Sequence, residues 1–332
     1  MSEIQVLKPL KTWSHFAERR RKPSEYEIVS TNLHFTDRDP NAPYELAPDM
    51  WMNRWYKQNT LNSPLKHDDW NAFRDPDQVI YRTYNLMQDG QEAYVYGLFD
   101  QFNAREHDKV LDPRWAGKLA RLYTPARYLF HTLQMASAYV GTDGSLQATI
   151  TNCQLLSDGL NPFRWWSHTA YRTKELSLAF DDKSFGTDER QYWETDPAWQ
   201  GFRELMEKVL VTWDWAEAFV AFSLVAIPAV EEAVLRKLGE SGQHNGDTLV
   251  GLLNDAQLVD AARHRRWAAT LVKMAVEKAG QRRTLIKKMG SSKWEPLADS
   301  AITAYCTALS DVPDASASAR LATREFRNSL GL

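Results

Sequence analysis

The sequence has only two cysteines, Cys153 and Cys306, far apart and in no Cys-x-x-Cys pair. That excludes a disulfide framework and a thiolate metal cluster, and it points to a reducing compartment. No run of 18 apolar residues occurs, and the first residues lack a basic-then-apolar export pattern, so neither a membrane span nor secretion is expected. Neither charge sign dominates. Lys and Arg number 40 against 43 Asp and Glu, a formal net charge of −3, which gives no global electrostatic case for nucleic acid or an anionic membrane. The run Glu18-Arg19-Arg20-Arg21-Lys22 is basic only locally and reads as a solvated or interface segment. The expectation is a cytoplasmic chain with no nucleic-acid and no membrane partner.

Chemistry-bearing motifs are scarce as well. There is no Gly-x-Gly-x-x-Gly, no Gly-x-x-x-x-Gly-Lys-Ser/Thr and no Gly-x-Ser-x-Gly, so dinucleotide, P-loop nucleotide and serine-hydrolase chemistry have no support. Carboxylate-bridged di-iron proteins draw ligands from Glu-x-x-His on helices, where the i, i+3 spacing aims both side chains at a bundle core. The residues three before the eight histidines are Thr12, Thr31, Pro64, Ala104, Tyr128, Trp165, Ser241 and Ala261. None is acidic, so a full set of paired Glu-x-x-His ligands cannot be assembled.

What the chain does have is aromatic side chains: 13 Trp, 13 Tyr and 13 Phe in 332 residues. Many fall in segments without helical period, such as DMWMNRWYKQ and KHDDWNAF. Large rings with a polar tip suit wide contact surfaces, or else loops that wrap the protein's own core. Residues 1–75 carry ten of these aromatics, among them Trp13, Tyr26, Phe35, Tyr44, Trp51, Trp55 and Tyr56, between scattered prolines. An extended arm that contacts partner subunits is expected there, because a structureless stretch of this length is unusual inside a compact domain.

From residue 76 to about 310 the pattern is helical, with no run of β alternation. Apolar residues from Val79 to Phe102 keep close to one helical face, interrupted at Asp89-Gly90. Thr124-Pro125 reads as the start of a further helix, and shorter stretches are expected near 145–158 and 162–180. A long helix is expected after Asp196-Pro197, ending or kinking at Pro228, another from Asp247 to Gly280, and one more with Pro296 in its first turn. Residues 311–332 read as a low-complexity tail with room for one short helix. The fold class is therefore an all-α bundle, with no internal repeat.

The strings KTWSHFAERRRKPSEYEIVSTNLHF, SPLKHDDWNAFRDPDQVIYRTYNLMQDGQEAYVYGLFDQFNAREHD, YTPARYLFHTLQM, HTAYRTKELSL, DPAWQGFRELMEKVL and DAARHRRW resemble the hydroxylase β subunit of the toluene/o-xylene and alkene (isoprene-type) branch of bacterial multicomponent soluble di-iron monooxygenases. The likeness runs from about residue 8 to 310. It implies a ferritin-like helical bundle with extra helices, and a non-catalytic chain that supports a partner α subunit. In that family the α subunit holds the di-iron centre, and a small γ subunit completes a dimer of αβγ protomers. An effector protein, a Rieske ferredoxin and an NADH-dependent flavin reductase serve the complex. The resemblance thus implies no catalytic residue, cofactor or metal in this chain, within a complex that oxidises an aromatic hydrocarbon or an alkene with O2.

Laid on this sequence, the family's ligand positions fall at Glu92 for the first glutamate, Tyr128 and His131 for the first Glu-x-x-His, Glu217 for the lone glutamate, and Ala261 and His264 for the last pair. Both motif glutamates are missing. The competing reading is an independent metalloprotein in which His131, His264, Glu217 and Glu92 hold a single iron.

Overall fold

The computed structural model describes residues 22–30, 51–141, 148–180, 184–277 and 280–332, and every regular element among them is helical. In chain order these are α1 (Glu25–Ser30), α2 (Trp51–Tyr56), α3 (Tyr81–Ala104), α4 (Pro113–Leu122), α5 (Ala126–Gly141), α6 (Ala148–Cys153), α7 (Leu160–Ala179), α8 (Glu189–Thr195) and α9 (Pro197–Leu210). They are followed by α10 (Trp215–Phe219), α11 (Ile227–Val230), α12 (Leu238–His244), α13 (Thr248–Val276), α14 (Gly280–Met289), α15 (Glu295–Thr307) and α16 (Ala315–Ser329).

Aspartates open several of these helices, because a carboxylate satisfies an orphan first-turn N–H. Asp112 accepts from Arg114 N at 2.7 Å with Pro113 next in line, and Asp196 accepts from Ala198 N at 2.9 Å before Pro197. Asp214 does the same for Glu217 N at 3.0 Å and Asp247 for Val250 N at 3.1 Å.

Several expectations about helix boundaries change. The single helix expected from Pro197 to Pro228 is two, because Asp214 caps a new start after the break at Val211–Trp213. The second piece then runs through Pro228 without ending, from Trp215 to His244, with π turns at Val220–Ala226 and Glu231–Lys237. Proline removes one N–H and crowds the preceding turn, and a helix whose ladder already shifts register there absorbs it. Asp89-Gly90 likewise leaves α3 continuous. Residues 315–329 form a full helix, α16, whose Ala315, Ala319, Thr323 and Arg327 are buried.

The core forms where α5, α7, α9, the Trp215–His244 helix and α15 meet, with Trp199, Phe202 and Tyr305 at its centre. Trp199 and Tyr305 meet edge to face at 4.9 Å, an arrangement that ring quadrupoles favour. Packing there is close enough that a Cβ on Gly201 would lie 2.5 Å from the backbone of Ala301. Trp215–His244 is long and apolar enough to cross a bilayer by composition, with a mean hydropathy of 1.9, yet that apolar stretch is wholly buried by the rest of the chain.

The described parts of the N-terminal region lie on the chain's own helices. Tyr26 is buried, and its hydroxyl accepts from Asp75 N at 2.7 Å. Leu65, Trp70 and Phe73 join a second core with Trp215, Phe219 and Trp267. Trp55 meets Trp213 at 6.3 Å, Tyr56 is half-buried, and Trp51 is exposed. Trp13, Phe35 and Tyr44 lie outside the described residues.

Candidate functional site

His264 sits on the inner face of α13, 2% exposed. Its Nδ1 lies 2.6 Å from Asp158 Oδ1 and its Nε2 lies 2.8 Å from the Ser223 carbonyl oxygen. A carbonyl oxygen can only accept, so Nε2 carries a hydrogen; an ionised Asp158 can only accept too, so Nδ1 carries the other. The ring is then an imidazolium. Burial alone would lower its pKa, but the Asp158 charge and hydrogen bond, with Glu231 behind them, outweigh burial and raise it above the ordinary histidine value. Trp267 Nε1 donates to the same Asp158 oxygen at 3.2 Å. Glu231, fully buried, accepts from Arg265 Nε at 2.7 Å, and Glu232 accepts from Arg265 Nη2 at 2.6 Å. Burial pushes the Glu231 carboxyl up even with that guanidinium beside it.

Asp158, Ser223 and Glu231 all stand on π turns, at Gln154–Gly159, Val220–Ala226 and Glu231–Lys237. Such turns leave the regular i to i−4 ladder and re-aim side chains and carbonyls. Asp158 is where the sequence misleads. Ser157-Asp158-Gly159 has the composition of a surface turn, but the segment lies inside the bundle, and a Cβ on Gly159 would meet Ser137 Oγ at 2.6 Å. The glycine is there for close approach to α5.

A second polar cluster lies between α3, α7 and α13. Glu92 lies 2.9 Å from His168 Nε2 and accepts from Arg164 Nε at 2.6 Å. Arg164 Nη1 also reaches Asp260 Oδ2 at 3.0 Å, and Trp165 Nε1 donates to that oxygen at 3.0 Å. Burial would raise the Glu92 carboxyl, but the hydrogen bonds and charges of His168 and Arg164 hold it below the usual value. Asp260, the first residue of the DAARH stretch, therefore ties α13 to α7.

The six positions mapped from the family motif do not converge. Glu92 belongs to the cluster just described. Tyr128 stacks on Trp193 at 6.4 Å and accepts from Arg127 Nη2. His131 is exposed, with its ring 5.4 Å from that of Trp166. Glu217 stands in the first turn of α10, about one-third exposed, beside Lys293 at 3.4 Å and Trp294 Nε1 at 3.1 Å. It therefore needs none of the buried partners that a core glutamate would require. The buried carboxylates of that helix are Glu231 and Glu232, about four turns further on. Ala261 is buried beside His264 and offers no donor atom.

These residues do not fit a metal centre. Both His264 nitrogens are engaged, Glu231 is bound by a guanidinium, and no three His, Cys, Asp or Glu side chains among the described residues could together hold an ion. The cation that a metal would supply inside such a bundle is here an imidazolium and an arginine.

The match to known proteins is extensive. The family model for methane/phenol/alkene hydroxylases matches residues 53–279. The chain is 53% identical to the hydroxylase component subunit β of the toluene-4-monooxygenase system of Ectopseudomonas mendocina, over 91% of each chain. It is 26% identical to the phenol 2-monooxygenase oxygenase component DmpL of Pseudomonas sp. CF600, over 75% of each. Among solved structures it superposes on a chain of toluene 4-monooxygenase with toluene bound in the resting active site, with a TM-score of 0.86 and 52% identity, covering 92% of this chain and all of that one. A chain of the phenol hydroxylase from Pseudomonas sp. OX1 shares the fold at a TM-score of 0.82. The fold is thus the ferritin-like helical bundle of these hydroxylase subunits, and the chain belongs to the methane/phenol/alkene hydroxylase family, as a β subunit of a hydroxylase component.

Proposed function

We propose that this chain is the structural and assembly subunit of a monooxygenase hydroxylase that oxidises an aromatic hydrocarbon or an alkene with O2 and NADH-derived electrons. It acts by supporting the bundle of an α subunit, and the oxidation chemistry belongs to that partner. The observation that carries this reading is His264: both ring nitrogens are taken by the fold, through Asp158 and the Ser223 carbonyl oxygen, which leaves it no free nitrogen for a metal. The di-iron centre belongs in this reading to the α subunit, and a γ subunit and a two-fold αβγ arrangement complete the hydroxylase. The effector, Rieske ferredoxin and flavin reductase are its further partners, and the cytoplasm is its compartment.

The test is to co-express the chain with its α partner, separate the subunits and measure iron in each. Stable co-purification with iron confined to α is expected. Stoichiometric iron in this chain that is lost in His264→Ala would overturn the reading. The mononuclear-iron alternative gains no support from the geometry, because Glu92, His131, Glu217 and His264 each contact different residues and not one another.

A further inference from the structure

The sequence contains a single Asn-Gly pair, Asn245-Gly246, and the fold puts it at the joint between the Trp215–His244 helix and α13. Gly246 takes a φ of +75°, in the left-handed region that favours glycine, and so closes the helix. Its N–H donates to the Gln243 carbonyl oxygen at 3.2 Å, and the next N–H, that of Asp247, donates to the Gly242 carbonyl oxygen at 2.8 Å. Both bonds satisfy carbonyls that a helix end leaves without partners. Asn245 is half-buried, and its Nδ2 donates to the Ser241 carbonyl oxygen at 2.8 Å and to Asp311 Oδ2 at 2.6 Å. Asp311 accepts in turn from Lys118 Nζ at 2.5 Å and from Ser241 Oγ at 2.5 Å. Burial would raise the Asp311 carboxyl, but the hydrogen bonds of Lys118 and Ser241 outweigh it and hold the group below the usual carboxylate range.

We propose that Asn245 is a spontaneous modification site, converted to aspartate and isoaspartate when this joint opens, and that the Asp311 latch keeps it closed in the folded chain. The chemistry needs only water. The Gly246 nitrogen attacks Asn245 Cγ; a new N–Cγ bond forms and the Cγ–Nδ2 bond breaks. The side-chain nitrogen leaves as ammonia, taking the proton that Gly246 gives up. Water then opens the cyclic imide at either carbonyl, to aspartate or to isoaspartate. Glycine has no side chain to obstruct the attack, and no other asparagine in the chain precedes one. The folded joint opposes the reaction at each point. At ψ 12° the Gly246 nitrogen lies nearly eclipsed with Asn245's own nitrogen, away from Cγ. Its N–H is taken by Gln243, and the leaving nitrogen is tied to two acceptors. The product would undo what held the site. A carboxylate at position 245 would face Asp311 in place of a donated hydrogen bond, at a helix C-terminus that disfavours negative charge. Isoaspartate would also lengthen the main chain ahead of Asp247, which caps α13 through Val250 N at 3.1 Å and accepts from Trp115 Nε1 at 2.9 Å.

The test follows the peptide that holds Asn245 by mass mapping, in the assembled hydroxylase and in the same preparation unfolded in guanidinium chloride, under the same warm, mildly alkaline conditions. Unfolded, Asn245 is expected to deamidate faster than any other asparagine of the chain, with isoaspartate among its products. Folded, it is expected to react at least about tenfold more slowly, because only molecules with the joint open can react. In the assembled Asp311→Ala hydroxylase the rate is expected to rise at least about threefold over the wild type, since the joint then opens more often. Equal rates in the folded and unfolded wild type, or a faster asparagine elsewhere in the unfolded chain, overturn the assignment, and that comparison stands whether or not the variant assembles. An assembled Asp311→Ala hydroxylase that deamidates no faster than the wild type overturns the latch.

Discussion

A histidine held between a carboxylate and a backbone carbonyl behaves differently from one waiting for a metal. His264 gives up both nitrogens to the fold, so its positive charge is part of the core. Its pKa in the folded chain is raised above the ordinary 6.5. Its contribution to stability is therefore complete below about 6.5 and is lost as pH rises through the raised folded value. The difference in urea midpoint between the wild type and His264→Leu should accordingly shrink on going from pH 6 to alkaline pH. A difference that grows with pH would show that the ring is neutral. His264→Ala leaves Asp158 buried without its cation and should cost about 3–5 kcal/mol, whereas Asp158→Leu with His264→Leu should recover most of that loss. Iron per assembled hydroxylase should be unchanged in either variant, provided it assembles; elemental analysis decides this.

At the scale of elements, the register of the helices decided what could be read in advance. The long periodic segments, α3 and α13, are visible in the sequence because their inward residues recur at helical spacing, and His264 falls on the inward side as that spacing requires. Glu217 did not fall there. Treating Pro197–Pro228 as one helix hid the break at Val211–Trp213, although Asp214 is a cap residue of the type that could have revealed it. The buried glutamates, Glu231 and Glu232, lie past Pro228, beyond the expected end or kink of that helix. The helical stretch expected near 145–158 reaches Asp158, but the polar composition of Ser157-Asp158-Gly159 gives no sign that the segment is buried against α5. Contact between α9 and α15 supplies a sharp test of element packing. A Cβ at Gly201 would meet backbone, which cannot swing aside, so Gly201→Ala should destabilise by about 1–3 kcal/mol despite alanine's better helix propensity. Thermal unfolding of the complex would show it as a lowered transition, and an unchanged or raised one would mean that the helices part easily.

For the whole molecule, the distribution of charge and apolar surface matters more than any one site. Ion pairs tie α3, α7 and α13 together through Glu92, Arg164 and Asp260, and Arg82 on the exposed side of α3 pairs with Glu25. Obligate subunit interfaces are largely apolar, so the assembly should be insensitive to screening: raising salt from about 0.1 to 1 M shortens the Debye length from about 10 to 3 Å and should leave the hydroxylase intact in size-exclusion chromatography. Dissociation at high salt would show that charged contacts hold the subunits. The described part of the N-terminal region divides between core and surface. Tyr26, Trp70 and Phe73 serve the chain's own core, while Trp51 remains exposed.

The π turns that hold Asp158, Ser223 and Glu231 around His264 also set the direction in which this fold can change. Restoring a glutamate at position 261 would not rebuild a ligand pair, because the histidine it needs is already committed as a proton-bearing cation. The new carboxylate would add negative charge to an interior where burial already pushes the Glu231 carboxyl up. Ala261→Glu should therefore yield a less stable chain and no bound iron, and at least Asp158 and Ser223 would have to let go of the ring first. The interior works as a ratchet: each step back toward a metal centre lowers stability before any later step can bring the metal in.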